Sequence, residues 1–197
     1  MNRRLLLVLP LLSLLVVPLT AAPLFYVAYM DGPSEFPPNA SPGLGRADVV
    51  IDIVAHTLEV RASFSGLVGS TTAAHIHGPT PVPLDLTATA GVITQTPSFN
   101  TFPLGVSAGI MPPTVYDLTQ ASSYRPAFLS GFGGNTLAAE AALAAALDEG
   151  RAYFNVHSSA FPGGEIRGFL VPIPEPSTWA LLGLGLGGLL LRKRFLK

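Results

Sequence analysis

The sequence predicts an all-β fold: an antiparallel Greek-key β-sandwich with one short helix, flanked by two apolar terminal targeting helices. Three observations predict it. Apolar and polar residues alternate with a period of two in short segments between the ends, and alternate residues of a strand share a face. Most of the chain's 19 prolines and 20 glycines punctuate those segments with turn signals, as in chains built of many short strands. Only one stretch, Asn135–Gly150, carries a helix pattern.

Residues 1–22 open the chain. Arg3 and Arg4 precede LLLVLPLLSLLVVPLTAA. A basic start, an apolar middle and small residues at the end read as a signal peptide. Pro10 and Pro18 interrupt the run, which leaves it short of the ~20 apolar residues of a comfortable span.

Leu24–Met30, aromatic and β-branched, reads as a first strand that Asp31-Gly32-Pro33 breaks. Glu35-Phe36-Pro37-Pro38-Asn39 is a rigid extended piece, because its prolines donate no ladder bond. Arg46–Val54 and Leu58–Phe64 alternate, and Ala55-His56 turns between them with His56 solvated, so the two form a hairpin. In Thr71–Gly78, Ala74 and Ile76 face inward, and His75 and His77 face outward together. Gly91–Thr96 and Thr114–Thr119 are further short strands, with Pro97–Pro113 as a loop.

Asn135 or Thr136 caps the helix, and Gly150 takes the left-handed residue after it. Leu137, Ala141, Ala144 and Leu147 form its expected inner stripe. Arg151–His157 then forms a strand with Ala152, Phe154 and Val156 inside and Tyr153, Asn155 and His157 outside. A Pro162-Gly163-Gly164 turn leads to the strand Glu165–Leu170.

Pro174-Glu175-Pro176 ends the ordered pattern, since such a run continues neither helix nor ladder. Residues 177–191 are uncharged and apolar, a transmembrane helix by composition but short for a ~30 Å hydrocarbon core. Arg192, Lys193 and Arg194 open a basic end at residues 192–197, a cytoplasmic stop.

Charge and cysteine content exclude whole classes of function. All twelve acids lie between Asp31 and Glu175, against five arginines and no lysine there, a net charge of −7. Nucleic-acid partners need a basic footprint and are not expected. The absence of cysteine removes disulfides, thiol catalysis and thiolate metal sites together.

The candidate chemistry lies in the outward histidines. His75 and His77 at i, i+2 put two imidazoles on one side of a strand, and His157 has the matching parity on another. Three imidazoles with an open fourth position suit copper or zinc. Exposed or hydrogen-bonded strand histidines would show the same spacing. Glu165 and Arg167 also share a face, and Arg167 pairs either with Glu165 or with Glu35 across the fold. An exposed pair of that kind contributes only ~0–1 kcal/mol. No GxSxG, HExxH or phosphate loop with a lysine is present, so no hydrolase constellation emerges.

Two resemblances follow from these motifs. Pro174-Glu175-Pro176, the Gly/Leu run and the terminal basic cluster, over residues 172–197, resemble the PEP-CTERM sorting tail. That resemblance implies export across the inner membrane of a Gram-negative bacterium by the export machinery and signal peptidase. It further implies a transient inner-membrane anchor, cleavage by an exosortase, and residence in the envelope or extracellular space. Residues 23–171 resemble a CHRD domain. The matching pieces are Glu35-Phe36-Pro37-Pro38-Asn39 with Gly43 and Gly45, Ala74-His75-Ile76-His77-Gly78, Ala152–Ser158 and Phe161–Gly168. The resemblance implies an exported domain and no enzyme activity follows from it; the first reading is a non-enzymatic binding or structural role at the cell envelope or extracellular matrix.

A fainter similarity is to the Cu,Zn superoxide dismutases. His75, His77 and His157 are similar to three of their copper ligands, and Arg167 falls where those enzymes place an active-site arginine. The implied fold is the superoxide dismutase-like or immunoglobulin-like sandwich. The bridging histidine, the zinc loop and the disulfide of those enzymes have no counterpart here. What remains is the alternative of a copper- or zinc-binding protein with vestigial dismutase-like chemistry.

Overall fold

The computed structural model describes residues 22–82 and 85–173. The segments expected to form a signal peptide and an apolar transmembrane helix, and Pro174, Glu175 and Pro176, lie outside the described residues. Within them the protein is all-β in its main body, with eight antiparallel strands and two helices.

The first three strands form a meander. β1 (Leu24–Asp31) pairs with β2 (Leu44–Asp52), and β2 with β3 (Thr57–Ser65). Their inward rows are apolar and fully covered: Tyr26, Ala28 and Met30, then Ala47, Val49 and Ile51, then Leu58, Val60, Ala62 and Phe64. The alternation that predicted them is the alternation that buries them. β4 (Thr71–His77) crosses to the far edge, and β5 (Gly109–Asp117) returns to pair with β3. β6 (Tyr153–Ser158) lies between β4 and β7 (Ile166–Phe169), and the short β8 (Val171–Pro172) pairs with β1. The resulting order is β4-β6-β7-β1-β2-β3-β5 in one sheet.

That sheet curls. Its two edge strands are bridged by the segment from Val92 to Val106, whose backbone bonds run along β4: Ile93 N to Ile76 O at 2.9 Å, Gly105 N to Thr71 O at 2.8 Å. Tyr116 of β5 reaches Asn100 of the same segment at 3.0 Å. The inward side chains of β1 to β7 accordingly meet in a single core.

Three expectations change here. The loop expected over Pro97–Pro113 gives way at Gly109, where β5 begins, so that strand is longer than Thr114–Thr119. Pro112 and Pro113 masked it in the sequence. They are tolerated because they lie on the sheet edge opposite a register shift in β3 between Val60 and Ala62. The strand expected at Gly91–Thr96 is reduced to isolated bridges at Val92 and Thr94. A short helix, α1 (Pro126–Ser130), accompanies the expected one, α2 (Thr136–Asp148).

Helix α2 starts where expected: the Asn135 side chain accepts from the backbone N–H groups of Leu137 and Ala138. Gly150, at φ 66°, closes its far end, and Arg151 N bonds back to Ala146 O at 2.8 Å. The inner stripe is shifted, however. Ala139, Glu140, Leu143, Ala146 and Leu147 are buried, while Leu137 is 56% exposed. So many alanines leave the helix with little apolar contrast between faces, and Glu140 turns inward because it has a partner there. His56 Nδ1 lies 2.7 Å from a Glu140 carboxylate oxygen. His56 is therefore tied across the β2–β3 turn to α2 rather than simply solvated.

Candidate functional site

The sheet brings the three candidate histidines together. β4 and β6 are adjacent and antiparallel, with Ala73 opposite His157, His75 opposite Asn155 and His77 opposite Tyr153. Alternation puts all five polar and aromatic side chains on the outer face. The coordinating nitrogens of His75, His77 and His157 lie within 4.8 Å of one another. The two Nε2 atoms of His77 and His157 are 3.4 Å apart.

Each ring is held by one backbone carbonyl. His75 Nε2 donates to Pro97 O at 2.8 Å, His77 Nδ1 to Ala90 O at 2.9 Å, and His157 Nδ1 to Pro162 O at 2.9 Å. A carbonyl only accepts, so each bond fixes the tautomer. It leaves His75 Nδ1, His77 Nε2 and His157 Nε2 as bare lone pairs. His75 Nδ1 is buried and has no hydrogen-bond partner. Carbonyl-anchored imidazoles with the second nitrogen free are the arrangement that orients metal ligands.

The site is not the open outer face that the sequence suggested. His75 is 6% and His77 8% exposed, with His157 more open. The connection after β4, the segment around Pro97 and the Pro162 turn cover them. Burial, helped by the His157 charge, lowers the pKa of His75 to about 4. Burial, opposed by the bond to Ala90, lowers that of His77 to about 4, and burial lowers His157 as well. All three rings are neutral at neutral pH, the form that coordinates a metal. A ligand point ~2.0–2.1 Å from every nitrogen requires pairs no more than about 4 Å apart. The spread of up to 4.8 Å is wider than that closed geometry.

Around the histidines is a second tier. The Tyr153 ring stacks on His77, centroids 5.0 Å apart and 15° between planes. The Arg167 guanidinium lies 4.9 Å from the centroid of the same Tyr153 ring. Arg167 is completely buried. It donates to the carbonyls of Ser34, Ala88 and Leu86, the last two at 3.1 and 2.9 Å. Each of its three nitrogens thus makes one bond to loop backbone, and its complete burial keeps it from the substrate-facing place that the dismutase similarity implied.

Among the described residues no ion pair joins Arg167 to Glu165; its carboxylate neighbour is Glu35, at 3.9 Å. Burial raises the pKa of Glu35 to about 7 against the opposing charge of Arg167. Glu165, just before β7 starts, turns away from Arg167. It accepts from Ser41 Oγ at 2.6 Å, from Ser158 Oγ, and from the N–H groups of Val68 and Gly69. Burial alone would raise its pKa, but those four donors hold it below the usual carboxylate range. The two acids thus clamp separate loops to the sheet.

Sequence reasoning reached the histidines through parity and missed their supports. The carbonyls of Ala90, Pro97 and Pro162 leave no trace in side-chain pattern. Tyr153 was in the outward row, and its place opposite His77 was the available signal.

Comparison with known proteins bears on both the domain and the tail. A family model described as CHRD domain matches residues 26–170. A model described as PEP-CTERM protein-sorting motif matches residues 172–194. Neither the curated proteins nor the solved structures gave a significant match.

Proposed function

The chain belongs to the CHRD domain family, and from that premise we propose that it is an exported, non-enzymatic metal-binding module. The ion is copper or zinc, and His75, His77 and His157 hold it. The sorting motif makes the chain an exported protein processed by an exosortase. In this proposal the mature domain resides in the envelope or outside the cell.

One observation carries the metal assignment. Three neutral imidazoles, each pinned by a backbone carbonyl, aim their bare nitrogens at a common region, and one of those nitrogens is buried without a partner. A buried acceptor without a donor is costly. An ion supplies what all three lone pairs lack. Nitrogen ligation of this kind suits zinc or copper over calcium or magnesium, which prefer oxygen. We read the curled sheet as a Greek-key sandwich of the superoxide dismutase type, because β4 crosses to the far edge and β5 returns to β3. Redox turnover is not included in the proposal, since Arg167 is engaged by loop carbonyls.

The test is elemental analysis of the exported protein against a His77→Ala, His157→Ala variant, both loaded with copper or zinc and then desalted. One ion per chain is expected in the parent and a loss in the variant. Equal metal content in the two would remove the proposal.

A further inference from the structure

Both ends of the described chain emerge at one end of the sheet. β1 begins at Leu24, and β8 lies antiparallel beside it, with Tyr26 opposite Pro172 and Ile173 N bonded to Phe25 O at 2.8 Å. Leu24 is paired with Ile51 of β2. Leu24 and Ile53 continue the inward rows of β1 and β2 past the end of the core. They are exposed there, as are Phe25, Val54 and Ile173. Across the β2–β3 turn, Ile53 and Leu137 of α2 line an open groove of about 420 Å³. The six side chains form a rim that is apolar itself but borders charge: His56 and Glu140 share the groove with Ile53 and Leu137, and Arg46, Asp48, Glu59 and Arg61 lie beside Phe25 and Ile173. The one acid within the rim's own turn, Asp52, faces the backbone N–H groups of Val54 and Ala55 at 2.9 and 2.8 Å.

The chain outside the structure says what covers this rim. The apolar run of the sorting tail begins at Ser177, four residues past Ile173. Even fully extended, four residues span no more than about 14 Å. While the tail is held in a bilayer, the end carrying Leu24 and Ile173 is kept within that distance of it. A protein face rich in apolar side chains, held at a lipid interface, gains by burying them at the headgroup boundary.

We propose that this rim is a lipid-docking surface, seating the domain upright on the bilayer during the tethered stage. It rests on the tether that the sorting motif implies, and not on the metal. The opposite end, with Asp31, Leu44 and Ser65, then points away from the membrane. Docking is apolar rather than electrostatic, in keeping with the acidic domain.

The chain has no cysteine, so single-cysteine spin labels read one position each. The full chain carrying V54C or S65C is reconstituted into phosphatidylethanolamine–phosphatidylglycerol vesicles, recovered by flotation, and probed for collision with a water-soluble nickel chelate and with oxygen. The expected result is loss of chelate access and gain of oxygen access at position 54, with position 65 fully aqueous. In an L24D/I53D background position 54 is expected to become aqueous again. A chain that floats with position 54 as aqueous as position 65 overturns the docking surface and leaves the tether intact. A chain that does not float overturns both. Spin–spin broadening between V54C labels would overturn lipid docking in favour of a second copy on the same rim.

Discussion

At the scale of single residues, the outer face is a set of groups whose charge state is fixed by burial. Glu35 shows this most plainly. Its Oε1 and the Oδ1 of Asn155 are both buried without a partner, and both pack against Gly164. Burial favours a proton on Glu35, against the Arg167 charge and hydrogen bonds from the Phe36 backbone and the Asn155 side chain that favour the carboxylate. With its folded pKa raised to about 7, Glu35 binds more protons folded than unfolded between roughly pH 4.5 and pH 7. Its contribution to stability is full below that window and is lost as pH climbs through it. The loss is at most about 3 kcal/mol. Glu35→Gln keeps a donor at every pH. Denaturant titrations at pH 5 and pH 8 are expected to show the variant gaining on the parent by up to that amount at the higher pH. Parallel behaviour of the two proteins would sink the assignment. The same measurement subtracts the histidines, whose lowered pKa values act in the opposite sense, adding stability as pH rises from about 4.

At the scale of elements, the site depends on how closely β7 approaches β1. A Cβ on Gly168 would sit on the backbone of Tyr29. Gly168→Ala must therefore push β1 and β7 apart in the middle of the sheet, near Arg167 and the stack it forms on Tyr153. A destabilisation of roughly 3 kcal/mol or more is expected, in the range of severe core strain, read as a drop in melting temperature. An unchanged melting point would mean that β1 and β7 are not so tightly joined. The sequence revealed β1, β2, β3, β4 and β6 well, because each alternates an apolar row with a more polar one, even though in β4 and β6 both rows are covered. It also revealed the parity of the three histidines. Parity failed where another rule was stronger. Prolines hid β5, because an edge strand tolerates them and a central strand does not. Alanines blurred the buried face of α2, which the Glu140–His56 contact decides. Glu165 departed from the face of Arg167 because four donors from outside its strand draw it away. Contacts between distant segments leave no local pattern, and the loop carbonyls behind the histidines are of that kind.

At the scale of the whole molecule, the domain and its tail are matched by separate family models that meet between residues 170 and 172. β8, at Val171–Pro172, is where the chain leaves the sheet. Exosortase processing at the sorting motif, residues 172–194, therefore falls beyond the residues matched as the domain. Mass spectrometry of the secreted protein is expected to show a chain ending near Pro176. Recovery of Lys197 in secreted material would contradict that. The same severance frees the apolar rim from the bilayer and leaves the histidine site untouched, since the rim and the site use different regions of the sheet.

The proline pair at the outer edge of β5 has a consequence for how folded copies of the domain meet. One sheet margin is hydrogen-bonded to the Val92–Val106 segment, and the other is interrupted by Pro112 and Pro113 beside a bulge. A fibril growing from the native fold needs an unbroken row of donors on which the next chain can crystallise. Neither margin offers one, and the folded domain is thereby a poor seed for its own aggregation.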